Sequence, residues 1–284
     1  CYRLGDAAAL LPYGQQALRL CAELGEEARR EQAYSLKIIG AVHQTLGNFA
    51  ESFHYTERAL ALYRELGNRR EEGYTLNNLG ETARLCEDYD FAISCYQEAL
   101  EIYRETGERV QQMMALSNIG AARVGQKQHV SAEAALQEVI RMAGSQGYYG
   151  LSETHRYLAE ALLAQEQIEE SLESARQALF LGQEKDCQEH IGAAWRVLGM
   201  IAAATASQPS INGERHDAES CFTQSLRIFT HIGMEAERAH TLFKWARFEG
   251  MNDHRERAAA MSREAQEIFA RLGIKSASKW EPKA

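Results

Sequence analysis

Proline is nearly absent, with three residues in 284, so helices can run on without the lost donor and ring clash that proline imposes. Valine and isoleucine are sparse beside Ala, Leu, Glu, Gln and Arg, the set that favours helix. No apolar run reaches the roughly 20 residues of a membrane span. An excess of positive charge is missing too. A net charge of −9 argues against the clustered Lys and Arg by which a protein neutralises nucleic-acid phosphates. The six cysteines (1, 21, 86, 95, 187, 221) form no CxxC and no regular spacing. Buried or half-buried thiols in a reducing cytoplasm are the favoured reading, ahead of a disulfide set. HExxH, GxSxG, a phosphate-binding GxxxxGK[ST] and any paired Cys/His pattern are all missing, so no enzyme, metal or cofactor is expected.

What the chain does have is self-similarity. TLNNLG at 75–80 returns as ALSNIG at 115–120. Aligned on that glycine, a small residue recurs at Gly40, Gly80, Gly120, Ala159, Gly199 and Ala246, each preceded by Ile39, Leu79, Ile119, Leu158, Leu198 or Trp245. A second small column runs Ser52, Ala92, Ala132, Ser171, Ala218, Ala258, and a third Ala59, Ala99, Val139, Ala178, Ser225, Ala265. Glycines at 25, 67, 107, 147, 233 and 273 close the units, as left-handed caps should. The spacings are 40, 40, 39, 40 and 47, the last stretched by the turn-rich insert SQPSINGER at 207–215. One unit is copied six times.

Each unit reads as two helices. The first (A) carries the glycine column, near 30–45, 70–85, 110–125, 149–164, 188–205 and 236–250. The second (B) carries the other two columns, near 49–66, 89–105, 130–146, 168–184, 216–231 and 254–272. Small residues belong where helices cross closely, and large apolar ones at helical spacing fill the rest. His155 falls in a core column and His190 and His216 near helix starts, which suits structural rather than catalytic histidines. GYYG at 147–150 reads as a cap and the first turn of the next helix. EEARRE (26–31) and NRREE (68–72) read as solvated helix starts.

The small-after-large pair, the alanine opening helix B and the alanine seven residues on resemble the tetratricopeptide repeat. Trp195 occupies the column where that family often has tryptophan, with Leu36, Leu76 and Leu116 replacing it elsewhere. The period exceeds the usual 34 residues; six more residues per unit lengthen its two helices by about 9 Å in all. That variant is similar to Pins-type adaptors and to bacterial signalling and sensor arrays. The resemblance implies an all-α fold, a right-handed superhelical solenoid of antiparallel helix pairs, with six repeats plus an N-terminal half repeat. The expected boundaries are a half repeat at 1–25, repeats near 28–67, 68–107, 108–147, 148–186, 187–233 and 234–273, and a tail at 274–284. The half unit GDAAALLPYGQQALRLCAELG (5–25) leads to the expectation of a segment cut from a longer protein, since an uncapped end exposes apolar surface.

By that resemblance the A helices line a concave, solvent-exposed groove. Its expected ligand residues are Lys37, Asn77, Asn78, Glu81, Asn118, Arg156, Tyr157, Arg196, Lys244 and Arg247. The groove positions carry Lys37, Arg84, Arg156, Arg196, Lys244 and Arg247 against Glu81, Glu153 and Glu160, a net basic strip in an acidic chain. Such a strip focuses field on an acidic ligand. An asparagine amide offers donor and acceptor to an extended backbone whatever its sequence, and Pins-type adaptors use asparagines so. The heat-shock carboxylate clamp is matched at Lys37 and Asn78 but not at Ala41, Met114 or Asn118. The expected function is protein or peptide binding, with an acidic partner segment, as a sensing or scaffolding part of a larger signalling protein. The alternatives are a structural array self-associating through its open N-terminal end or convex face, and docking on an attached catalytic domain.

Overall fold

A computed structural model describes residues 4–144, 147–211, 213–252, 254–272 and 274, with side chains from 9 onward. The expected cap at Gly273 and the tail lie outside them. The chain divides into two compact units, Cys1–Ala122 and Arg123–Ala284. Each is built from helices packed in sequence as antiparallel neighbours, as the repeat pattern requires.

In the first unit, α1 (Leu4–Leu24) leads through a 3-10 turn (Gly25–Ala28) to α2 (Arg29–Thr45), α3 (Phe49–Glu65), α4 (Arg69–Leu85), α5 (Tyr89–Glu105) and α6 (Arg109–Gly125), whose last turn enters the second unit. Each of α1 to α4 packs on the helix that follows it. The core is continuous from Leu60 through Leu76, Leu79, Tyr96, Ile102 and Tyr103 to Ile119. In the second unit come α7 (His129–Ala143), α8 (Leu151–Ala164), α9 (Ile168–Glu184), α10 (Gln188–Thr205), α11 (Ala218–His231), α12 (Glu235–Met251) and α13 (Arg255–Arg271). Here the A helices α8, α10 and α12 also touch one another in turn. The helices start and stop within about three residues of the positions read from the period.

The small columns are buried throughout, and the glycines show why they are small. A Cβ on Gly40 would lie 2.4 Å from Thr56 Oγ1, one on Gly80 2.7 Å from the Tyr96 ring, and one on Gly199 3.0 Å from the Phe222 ring. The serines that replace alanine in the B columns bond rather than sit unsatisfied. Ser171 donates to the Ala159 carbonyl at 2.8 Å, and Ser52 and Ser225 share hydrogen bonds with Thr82 and Thr241.

Three local expectations change. The insert at 207–215 is a small hairpin, β1 (Ser210–Ile211) antiparallel to β2 (Glu214–Arg215), tucked onto α9 by Ile211 and by Arg176 donating to the Ser210 carbonyl. Helix α7 stops at Ala143 because Gly144 turns the backbone to φ +49°. The charged helix starts are not merely solvated. Arg69 pairs with Glu72 and Glu105, Arg64 with Glu72 and Glu98, and Arg29 with Glu26 and Glu65, and Glu72 is buried. Arg29 and Arg69 tie the start of a helix A to the end of its own helix B, and Arg64 ties the end of a helix B to the repeat that follows.

The turns carry the strain. Gly25, Gly67, Gly107, Gly147 and Gly233 take positive φ as expected, but so do Glu87, Lys127, Glu166, Asp186 and Ala206. Asp186 stands where the period asks for the closing glycine. A side chain in that left-handed region costs about 1–2 kcal/mol, partly offset in a glycine variant by greater unfolded-state entropy. Exposed Glu166, at φ +61°, should therefore gain stability on Glu166→Gly, by roughly 0.5 kcal/mol. Gly107→Ala, at φ +72°, should lose about 1 kcal/mol. Thermal unfolding of the two variants beside wild type checks both signs; the same sign for both would contradict the assignment of strain.

Candidate functional site

On the A helices of the first unit the expected ligand residues are largely engaged by other side chains of the same unit. Lys37 on α2 reaches Glu71 at 2.5 Å in the first turn of α4. Its ammonium also lies 5.2 Å from the Tyr34 ring and 6.0 Å from those of Tyr63 and Tyr74, where ring faces favour a cation. Tyr74 is held by Glu108 and Gln111. Glu81 takes two hydrogen bonds from Arg84 and a third from the Tyr96 hydroxyl.

The asparagines behave differently from one another. Asn118 Nδ2 donates to Asn77 Oδ1 at 3.0 Å, tying α6 to α4, and Asn77 is buried. Asn78 is half-buried; its carbonyl accepts from Gln44 and Thr82, while its side-chain amide has no hydrogen bond among the described residues. The first unit thus presents an amide pair locked between repeats and one amide left over.

On the second unit the two arginines expected to attract a ligand are not exposed. Arg156 and Arg196 retain 9% and 6% of their accessible surface. Arg156 stacks 3.6 Å from the Tyr157 ring centroid and binds Glu160 at 2.9 Å and Glu153 at 3.4 Å. Arg196 binds Glu237 at 2.6 Å, one repeat later, and lies against the Phe229 ring. Burial pushes the Glu237 carboxyl up, but Arg196, His240 and Arg156 outweigh it and hold the group down at about 2. Glu160 follows the same pattern, with burial opposed and overcome by Lys244, Arg156 and Arg196.

Lys244 and Arg247 stand on α12, three residues apart. Neither has an ion pair or hydrogen-bond partner among the described residues. Lys244 is half-buried and Arg247 exposed. Burial lowers the Lys244 ammonium below its usual range, Glu160 opposes this, and Arg196, Arg247 and Arg156 push it further down. Glu189, raised chiefly by burial and by Glu237 and Glu153, belongs to the same cluster, so four cations face four carboxylates there, and Lys244 and Arg247 are the two cations without a direct partner among the described residues.

The histidines fit a structural role only in part. His155 and His190 are lowered chiefly by burial, and the Nδ1 atoms of His129, His155 and His190 are buried without a partner. Among the described residues no group of His, Cys, Asp or Glu is arranged to hold a metal ion, no helix is long and apolar enough to cross a membrane, and Cys21, Cys95, Cys187 and Cys221 are free thiols.

Reading the A-helix columns alone misses Glu71, Glu108 and Glu237, the acidic residues that neutralise the face. All sit in or just before the first turn of the next A helix, and Glu–Arg pairing about one period apart is the signal that finds them.

Antiparallel helix pairs with a small residue at each crossing define a helical-repeat protein. Residues 33–66 and 71–145 each match the tetratricopeptide repeat family, and the chain is a tetratricopeptide-repeat array. No curated protein is a significant sequence match. Many solved structures are similar, among them three that cover more than nine-tenths of the chain. The apo form of RapI superposes with a TM-score of 0.79, covering 94% of this chain and 93% of that one at 16% identity. A Rap protein complexed with competence and sporulation factor gives 0.78, over 95% of this chain and 72% of that one at 14% identity. Aspartyl phosphate phosphatase F from Bacillus subtilis gives 0.64, over 92% and 77% at 12% identity. At such identities the likeness is one of fold alone.

Two measurements test the charge arrangement. Arg196→Ala strands a carboxylate and should cost on the order of 2–3 kcal/mol, below the 3–5 of a fully buried pair because Glu237 keeps some contact with water. Arg247→Ala should stay within about 0.5 kcal/mol; equal losses in chemical denaturation would contradict the assignment of one paired and one free cation.

The second measurement uses pH. The folded pKa of Glu237 lies below its ordinary 4.5, so its stabilisation is complete above that value and is lost as pH falls from there through about 2. Melting temperature should therefore drop less steeply over that interval in Glu237→Gln than in wild type, and parallel curves would contradict the pairing.

Proposed function

We propose that the chain is a protein-binding module whose A-helix faces receive segments of a partner, with acidic groups of that partner bound at Lys244 and Arg247. The observation that carries this reading is the imbalance on α12. The other cations of the strip (Lys37, Arg84, Arg156, Arg196) are each paired within the protein, and these two are not. A half-buried ammonium without a direct carboxylate partner gains from an arriving carboxylate, because its desolvation is already partly complete.

The amides of the first unit support the same kind of ligand. The free side chain of Asn78 can pair with one backbone N–H and one C=O of an extended segment. Asn77 and Asn118 serve as the rigid support that fixes α6 against α4. Arg156, Tyr157 and Arg196 contribute shape and field from beneath, and Lys37 and Glu81 do so as members of pairs. A sensing or scaffolding role in a larger signalling protein follows from the likeness to Pins-type and bacterial signalling arrays. The solved Rap complex shows that a protein of this fold accommodates competence and sporulation factor, which supports peptide binding as a use of such a face.

A panel of fluorescent extended peptides, acidic and with the acidic residues changed to glutamine, tests the proposal by anisotropy. The acidic members should bind more tightly, with an advantage that shrinks as salt rises. Lys244→Glu and Arg247→Glu should remove the advantage and flatten the salt response, while Asn78→Ala should weaken acidic and neutral peptides alike by about 0.5–1.5 kcal/mol. Equal binding of acidic and neutral peptides by wild type would overturn the acidic assignment.

A further inference from the structure

The insert at 207–215 belongs to one unit only and stretches its spacing from 40 to 47 residues. In a regular array an insertion marks a face on which one repeat does something that its neighbours do not. Here it folds as the β1–β2 hairpin beside helix α9, and the two leave between them a cavity of about 270 Å³.

The cavity is apolar at its base and charged along one side. Leu179 and Ile211, 2% and 3% exposed, line the base, and the Phe180 ring stands at the edge, 55% exposed. One and two turns back along α9 come Arg176 and Glu173. Glutamate and arginine three residues apart on a helix pair readily, as Glu26 and Arg29, Glu81 and Arg84, and Glu235 and Arg238 do in this chain. Glu173 and Arg176 do not. Gln177 donates to Glu173 Oε1 at 3.1 Å, and Arg176 Nη2 is drawn away to the Ser210 carbonyl at 2.9 Å. Arg176 Nε is buried without a hydrogen-bond partner. The hairpin thus holds a cation and an anion apart beside an apolar base, and neither has an ion pair among the described residues.

That arrangement has the polarity of an α-amino acid. Its carboxylate can take hydrogen bonds from the Arg176 guanidinium and its ammonium can donate to Glu173, both charge-assisted. Its side chain can cover Phe180 and displace water from beside Leu179 and Ile211. A simple anion would leave Glu173 facing a like charge, and a neutral apolar molecule would leave both charged groups without a partner. Volume sets the size, since drug-sized ligands occupy roughly 300–1,000 Å³ and this cavity falls just below that range. A ligand of about a dozen non-hydrogen atoms held there should dissociate at roughly 0.1–1 mM.

We infer that the cavity between α9 and the hairpin binds a free apolar or aromatic α-amino acid, with Arg176 on its carboxylate, Glu173 on its ammonium and Phe180 against its side chain. The residues that line it come from a B helix and the insert, so the inference does not rest on the ligand reading of α12.

Isothermal titration of the full chain with phenylalanine and with leucine should give dissociation constants of roughly 0.1–1 mM. Glycine, without an apolar side chain, should not bind. N-acetyl-phenylalanine and phenylalaninamide each lack one charge and should bind at least about 10-fold more weakly than phenylalanine. Glu173 and Phe180 are exposed, so Glu173→Gln and Phe180→Ala should keep the circular dichroism spectrum and melting temperature of wild type while weakening phenylalanine by about 10-fold. A wild-type chain that binds neither amino acid at about 10 mM overturns the inference, as does an affinity that both variants leave unchanged. N-acetyl-phenylalaninamide binding as tightly as phenylalanine would make the occupant a peptide segment and overturn the assignment to a free amino acid.

Discussion

The close crossing of paired helices at a residue without a side chain is the contact on which the rest of the structure depends. At Gly40, Gly80 and Gly199 the neighbouring helix supplies Thr56, Tyr96 or Phe222, and the partner group occupies the volume that a Cβ would need. That exchange brings the axes together while leaving no void, and it lets Tyr96 and Phe222 be fully buried. A methyl group there would force ring or backbone to move in a densely packed interior. Because the repeats pack only on their neighbours, the same crossing must be solved afresh in each unit, which is why the small column persists while the residues around it vary.

That dependence also explains how much of the fold was legible. Column residues such as Ala92, Ala99 and Leu79 are fixed by local packing, so their period gave helix existence and limits closely. Deviations arose where backbone conformation, not packing, decides. Asp186 takes the left-handed conformation that a glycine holds elsewhere, and nothing in an aspartate announces it. Helix α7 ends early at Gly144, three residues ahead of the glycine that the period marks.

The candidate site was legible in position but not in state. The positions two and three before the glycine column identified Lys37, Arg156, Arg196 and Lys244 as one kind of residue. The structure divides them by what lies one repeat further on. Arg196 meets Glu237 and Lys37 meets Glu71, whereas nothing acidic in the described residues closes on Lys244 within ion-pair distance. A count of charges along a face cannot make that division, because long side chains reach across about 40 positions of sequence to neutralise each other. The expectation that Arg156 and Arg196 lie open to solvent fails for this reason.

The difference between paired and unpaired cations decides what each can contribute to binding. A ligand carboxylate that sought Arg196 would have to displace Glu237 and leave that half-buried carboxylate without its partner, at a cost larger than a typical charge-assisted hydrogen bond returns. No such exchange is required at Lys244. Its proton affinity is lowered chiefly by burial, which Glu160 opposes and the arginines around it reinforce, and no carboxylate within ion-pair distance has to be displaced for an anion to bind. On that reading the paired arginines still matter: held by their own glutamates, they leave Lys244 and Arg247 as the cations open to the ligand. In the proposed function, acidic groups of the partner meet the two residues that the face leaves unpaired.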